Sequence, residues 1–154
     1  NGGPVFPMAL TRGITALVRY RTDSRLRLRS LSHPEQIDGI DLDLGDPLQY
    51  RREDRWTNYC EGGIHILRER SPITEGAEIL FRSNLPIAAG LSSSAALEVI
   101  TGFIFLSRDE PRPDRVALAL ASQRAEQEFV GVNCGIMDQF SVALGKEGHA
   151  ILLD

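Results

Sequence analysis

A run of small and hydroxylated residues, Pro-Ile-Ala-Ala-Gly-Leu-Ser-Ser-Ser-Ala-Ala over positions 86–96, is where this chain could first do chemistry. A strand-like stretch over 77–82 leads into it and a strongly apolar, helix-like stretch leads out. Small residues let a backbone come close to a ligand. Unpaired N–H groups at a helix start, aided by the helix dipole, attract an anion. Three consecutive serines add hydroxyls that can bind phosphate oxygens or a hard cation. Gly90, Leu91, Ser92, Ser93 and Ser94 are therefore read as a phosphate-gripping loop. The plainer alternative is a loop that ends in serine helix caps. The run is not a P-loop: it lacks G-x-x-x-x-G-K-S/T, and no lysine follows the glycine.

Two carboxylates downstream could complete such a site. Glu126 reads locally as a solvated helix carboxylate, because charged side chains are mostly exposed. Asp138, after a Cys-Gly pair, reads locally either as a helix N-cap or as a group positioned for proton transfer. They lie on different elements, so local spacing does not bring them together. The other candidates are weak. His33, His65 and His149 are scattered and show no metal spacing. Cys134 has no His or basic partner beside it and reads as a small buried residue. Asp41 and Asp43 look like the outer face of a strand, with nothing to suggest a glycosidase pair.

Composition narrows the class. A chain of 154 residues with 42% hydrophobic and 25% charged residues fits one soluble globular domain. A net charge of −4 gives no reason to expect nucleic acid or an anionic membrane as partner. Cys60 and Cys134 are read as free thiols, which implies a reducing, cytoplasmic setting. No signal peptide is visible, and the apolar stretch 95–106 carries Glu98 and is too short to span a bilayer. The chain starts without Met and stops in a strand-like run, so it reads as a piece of a longer protein.

The elements that must position these residues follow from periodicity. Strands are predicted over 14–20, 25–29 and 40–44, the second from the alternation Arg25-Leu26-Arg27-Leu28-Arg29. That arginine row reads as a solvated sheet face. A helix is predicted over 56–70, weakened by Gly62-Gly63. The next is the strand over 77–82, followed by a buried central helix over 94–106. Asp114 caps a helix running to about Phe129, with Leu118, Ala121, Ala125 and Phe129 on one stripe and Gly131 at its end. A short helix over 137–144 and a final strand over 150–153 complete the chain. Strands first and helices later indicate an α+β fold.

The residues at 86–96 resemble the second motif of the GHMP small-molecule kinases. The string Glu-Gln-Glu-Phe-Val-Gly-Val-Asn-Cys-Gly-Ile-Met-Asp-Gln-Phe over 126–140 is similar to the galactokinases within that family. So are the opening 1–10, Arg55-Trp56-Thr57-Asn58-Tyr59 and the tail 145–154, whereas 20–50 matches weakly. The resemblance implies that the chain is part of the family's N-terminal, ATP-binding domain, related to a domain of ribosomal protein S5. It implies a kinase that transfers phosphate from ATP to O1 of galactose with Mg²⁺. Ser94 and Glu126 would hold the metal, and Asp138 would be the catalytic aspartate beside the sugar hydroxyl. Gly135 would line the sugar pocket, or be an ordinary turn glycine. Trp56 would pack on adenine, or be a core residue. A cytoplasmic monomer acting on small molecules is expected.

Many galactokinases have Gly at the position of Ala88. The family's first motif, with its catalytic arginine and sugar ligands, would precede Asn1, and its third motif and C-terminal domain would follow Asp154. The 154-residue piece is therefore expected to be inactive alone. Three other readings are a kinase for another sugar such as N-acetylgalactosamine or arabinose, a non-catalytic galactose- and ATP-binding regulator, and a nucleic-acid binder. The acidic net charge argues against the last.

Overall fold

The computed structural model describes residues 3–32, 39–86 and 90–154. The strands are β1 (Ile14–Tyr20), β2 (Arg25–Ser30), β3 (Ile40–Asp43) and β4 (Ala77–Ser83). The helices are α1 (Thr57–Leu67), α2 (Ser93–Leu106), α3 (Arg115–Arg124) and α4 (Met137–Leu144). Among the described residues the strands form one sheet in the order β1-β4-β2-β3. β4 runs antiparallel to β1 and parallel to β2, and β2 runs antiparallel to β3.

Period-two sequence gives this sheet two unlike faces. Leu26 and Leu28 of β2, with Ala77, Ile79 and Phe81 of β4, are buried beneath the helices. The arginines that alternate with the leucines face outward, and two are ion-paired: Arg27 lies 3.4 Å from both Asp41 and Glu78, and Arg29 bonds Asp41 at 2.8 Å. The row is thus the outer sheet face read from the sequence. Asp41 belongs to that face, and Asp43 accepts from the Gly45 N–H at 2.8 Å in the turn that follows.

α1 and α2 cover the inner face, and α3 and α4 pack behind them. Gly62 looks in sequence like a weakness in α1. It is where Phe129 enters, since a Cβ there would lie 3.1 Å from that ring. Among the described residues no helix is long and apolar enough to cross a membrane.

Two expectations need correction. The single helix foreseen from Asp114 to about Phe129 is two segments. Asp114 does cap it, accepting from the N–H groups of Val116 at 2.9 Å and Ala117 at 3.1 Å. After Arg124, however, the chain widens into a π turn, Ala125–Val130, and ends at Gly131 with φ 82°. The wider turn departs from the 3.6-residue stripe. Phe129 then meets α1, while Glu126 is buried.

The second correction is the tail. Residues 150–153 make one isolated bridge, Val5 with Leu153, instead of a strand. Val5 and Leu153 exchange both backbone bonds, and Ile151 N–H donates to the Pro7 carbonyl at 2.9 Å. Proline has no N–H to return that bond, so the ladder stops there.

Candidate active site

The loop after β4 delivers the serines to the start of α2. Gly90 has φ 63° and Ser92 φ 55°, both left-handed. That conformation is easy for glycine but strained for serine. Ser92 is the N-cap of α2, yet its side chain makes no capping hydrogen bond. The capping alternative therefore does not account for its hydroxyl. Ser93 is exposed and Ser94 half-buried in the first turn, where N–H groups have no intrahelical partner. Ala88 lies outside the described residues.

Gly90, Leu91 and Ser92 form part of the wall of a cavity of about 830 Å³. Asp138 lies on the same cavity, with Met137, Ser141 and Val142 of α4. The floor is apolar, from Ala96, Val99, Ile100 and Phe103 of α2. The opening segment, including Phe6, Met8 and Leu10, closes one side. Asp138 is the second residue of α4, whose N-cap is Ile136. The aspartate is therefore not the helix cap, and it stands half-buried on the cavity wall. Loop and aspartate, far apart in sequence, are brought together.

The remaining candidates are placed differently. Gly135 is exposed beside open space. Trp56 is 6% exposed and packs edge-to-face with Phe81 at 5.8 Å. Cys60 and Cys134 are free thiols. Burial pushes Cys60 up to about 12, and burial followed by the charge of Glu126 pushes Cys134 up to about 11. Neither is a nucleophile at neutral pH.

Glu126 does not line the cavity. It is buried, and its Oε2 accepts from the Gln139 amide at 2.7 Å. The same amide lies 3.4 Å from Oε2 of Glu98, a fully buried carboxyl on α2. Burial, then the charge of Glu126, pushes Glu98 up to about 9, so it is protonated at neutral pH. Ser94 and Glu126 are hard oxygen donors on two elements that touch, α2 and the π turn. One hydroxyl and one carboxylate suit a Mg²⁺ that takes its other ligands from phosphate and water. Among the described residues no cluster of three His, Cys, Asp or Glu side chains could hold a metal unaided.

Sequence reasoning missed several residues here. Arg12 and Arg115 add two cations to the cavity lining, and an anionic ligand would favour such neighbours. Gln139 and the pairing of Glu98 with Glu126 were also missed. Glu98 was visible as a charge inside an apolar helix, which is a signal that it needs a partner. The partner itself is set only by tertiary packing.

The chain matches the GHMP kinases N terminal domain over residues 58–146. It is 43% identical to the galactokinase of Bacillus subtilis (strain 168), over 100% of this chain and 39% of that protein. The galactokinase of Ligilactobacillus salivarius (strain UCC118) is 42% identical, with 40% of its length covered. The chain thus spans about two-fifths of the curated relatives it matches. Lactococcus lactis galactokinase complexed with galactose superposes with a TM-score of 0.90 at 38% identity, covering 100% of this chain and 39% of that one. Methanococcus jannaschii mevalonate kinase has the same fold, with a TM-score of 0.77 at 17% identity over 92% of this chain and 44% of that one. Across the stretch that carries both the serine loop and Asp138, the chain belongs to the GHMP kinase family, as its N-terminal domain.

Proposed function

We propose that the full-length protein carrying this chain phosphorylates galactose at O1 with ATP as donor. One observation carries the reading: a strained, small-residue loop at a helix start and Asp138 face one cavity. The galactokinase relatives supply the choice of sugar.

Phosphoryl transfer needs positioning and charge neutralisation more than covalent help from the protein. Residues 90–94 would cradle the triphosphate with N–H and hydroxyl groups. Asp138 would orient the sugar hydroxyl and accept its proton as oxygen attacks the γ-phosphorus. The new O–P bond forms as the bond to the β-phosphate bridge oxygen breaks, and ADP leaves. Ser94 and Glu126 would hold Mg²⁺, which when bound neutralises developing charge on the phosphates. Gly135 would leave room beside the sugar. The reading is of a cytoplasmic monomer serving small molecules, with its two thiols kept reduced.

A coupled ADP-release assay on the full-length protein tests this against a panel of galactose, N-acetylgalactosamine and arabinose. Galactose as the preferred acceptor is the expected result. Preference for another sugar would keep the kinase and correct the substrate. Binding of galactose and ATP without ADP release would move the protein to the regulator class.

A further inference from the structure

Gln139 is 0% exposed, directly follows Asp138 on α4, and donates to Glu126 at 2.7 Å. Three elements meet at its amide: α4, the π turn through Glu126, and α2 through Glu98 at 3.4 Å. α2 is also the helix that opens with Ser93 and Ser94. The π turn widens the helix at the residues that carry Glu126. Such widened turns are frequent at functional sites. A carboxylate buried this deeply needs a donor to stay in place. A glutamine supplies N–H donation to both carboxyl groups without adding charge.

The geometry points to Gln139 as a positioning residue that holds Glu126 in register with Asp138 and with the start of α2. This rests on the reading of Glu126 as a metal carboxylate. Gln139 touches neither phosphate nor sugar in this scheme. It acts through Glu126, as an outer-shell hydrogen bond orients a metal ligand.

The test uses the full-length protein with Gln139→Met, which keeps the side-chain length and removes the donor. Mn²⁺ binding in the presence of ATP is read from the electron paramagnetic resonance of free Mn²⁺. The expected result is affinity weakened roughly 10–100-fold, as for lost outer-shell partners. The Mg²⁺ concentration for half-maximal ADP release rises in step, and the KM for galactose is unchanged. In a Glu126→Gln background the Gln139→Met change should add nothing to the loss of Mn²⁺ affinity. Unchanged Mn²⁺ affinity in Gln139→Met, with only a lower Tm, would make Gln139 a packing residue and overturn the proposal. Additive losses in the double variant would overturn it too. If Glu126→Gln alone leaves Mn²⁺ binding intact, the metal reading fails first, a result distinct from both. Gln139→Asn draws the amide back by one methylene and reads the same quantity should the methionine variant not fold.

Discussion

The outer sheet face and the space between α2, α4 and the π turn both collect charge, but they handle it in opposite ways. On the sheet, Arg19, Arg21 and Arg27 converge on Glu78, with Arg21 at 2.7 Å and Arg27 at 3.4 Å. Partial desolvation raises Glu78, but its bonds to Arg19 and Arg21 outweigh that and hold it below the usual carboxylate range. Opposite charges meet near water, where such pairs contribute little to stability. Under the helices, two carboxyl groups share one neutral amide. No cation is bonded to them among the described residues, and Glu98 stays protonated instead. The first arrangement keeps a solvated face solvated. The second is costly to bury and specific in geometry, as expected where side chains must be held for chemistry.

The contrast is sharpened most by removing the shared donor. Gln139→Met should destabilise the full-length protein by about 2–3 kcal/mol, the usual cost of stripping a donor from a buried charged acceptor. Denaturant titration checks it. A loss below about 0.5 kcal/mol would mean that Glu126 finds water or another donor, and the comparison would fail.

The pH dependence comes next. Glu98 is raised to about 9 and Glu61, chiefly by burial, to about 7. Both native pKa values lie above the unfolded ones, so the native state binds more protons between them. The stability these groups lend is complete below about pH 4.5 and is lost as pH rises through 7 and then 9. Metal-free protein should therefore lose Tm between pH 6 and 9. The slope from each group reaches at most about 1.4 kcal/mol per pH unit. Glu98→Gln should flatten the upper part of that slope. A flat Tm profile in the parent protein would show the pocket to be wetter than its geometry implies.

Smaller effects test the edges of the account. Ser92→Gly removes a left-handed serine, φ 55°, and should leave stability equal or raise it by up to about 1 kcal/mol. The same change should raise the KM for ATP, since the hydroxyl is no longer offered to phosphate. A fall in stability with unchanged KM would assign Ser92 to the scaffold. Last, Glu78→Gln should move Tm by no more than about 2 °C, and by less in high salt. A larger shift would erase the distinction between the two regions.

The sheet was legible in sequence because alternation reports burial directly. Leu26 and Leu28 are buried, and the arginines that alternate with them are not. The Asp114 cap and the helix stop at Gly131 were legible because they are local backbone chemistry. The π turn was not, because the sequence stripe continues unbroken to Phe129, and the contact of that ring with Gly62 is a tertiary one. The final strand failed for want of an N–H at Pro7, a property of its partner segment. At the site, the serine loop and Asp138 stood out by residue type and by family resemblance. Gln139, Arg12 and Arg115 are ordinary residues in ordinary local settings. Only the fold gives them neighbours that matter.

The most direct test of the central claim is single-turnover phosphoryl transfer by the full-length protein with Asp138→Asn. Asparagine keeps the shape and cannot accept the hydroxyl proton. The rate should fall by about 10²–10⁴-fold, the span of general-base catalysis, with ATP affinity little changed. Wild-type transfer by Asp138→Asn would contradict it, and the cavity shared by the serine loop and α4 would not be the seat of the chemistry.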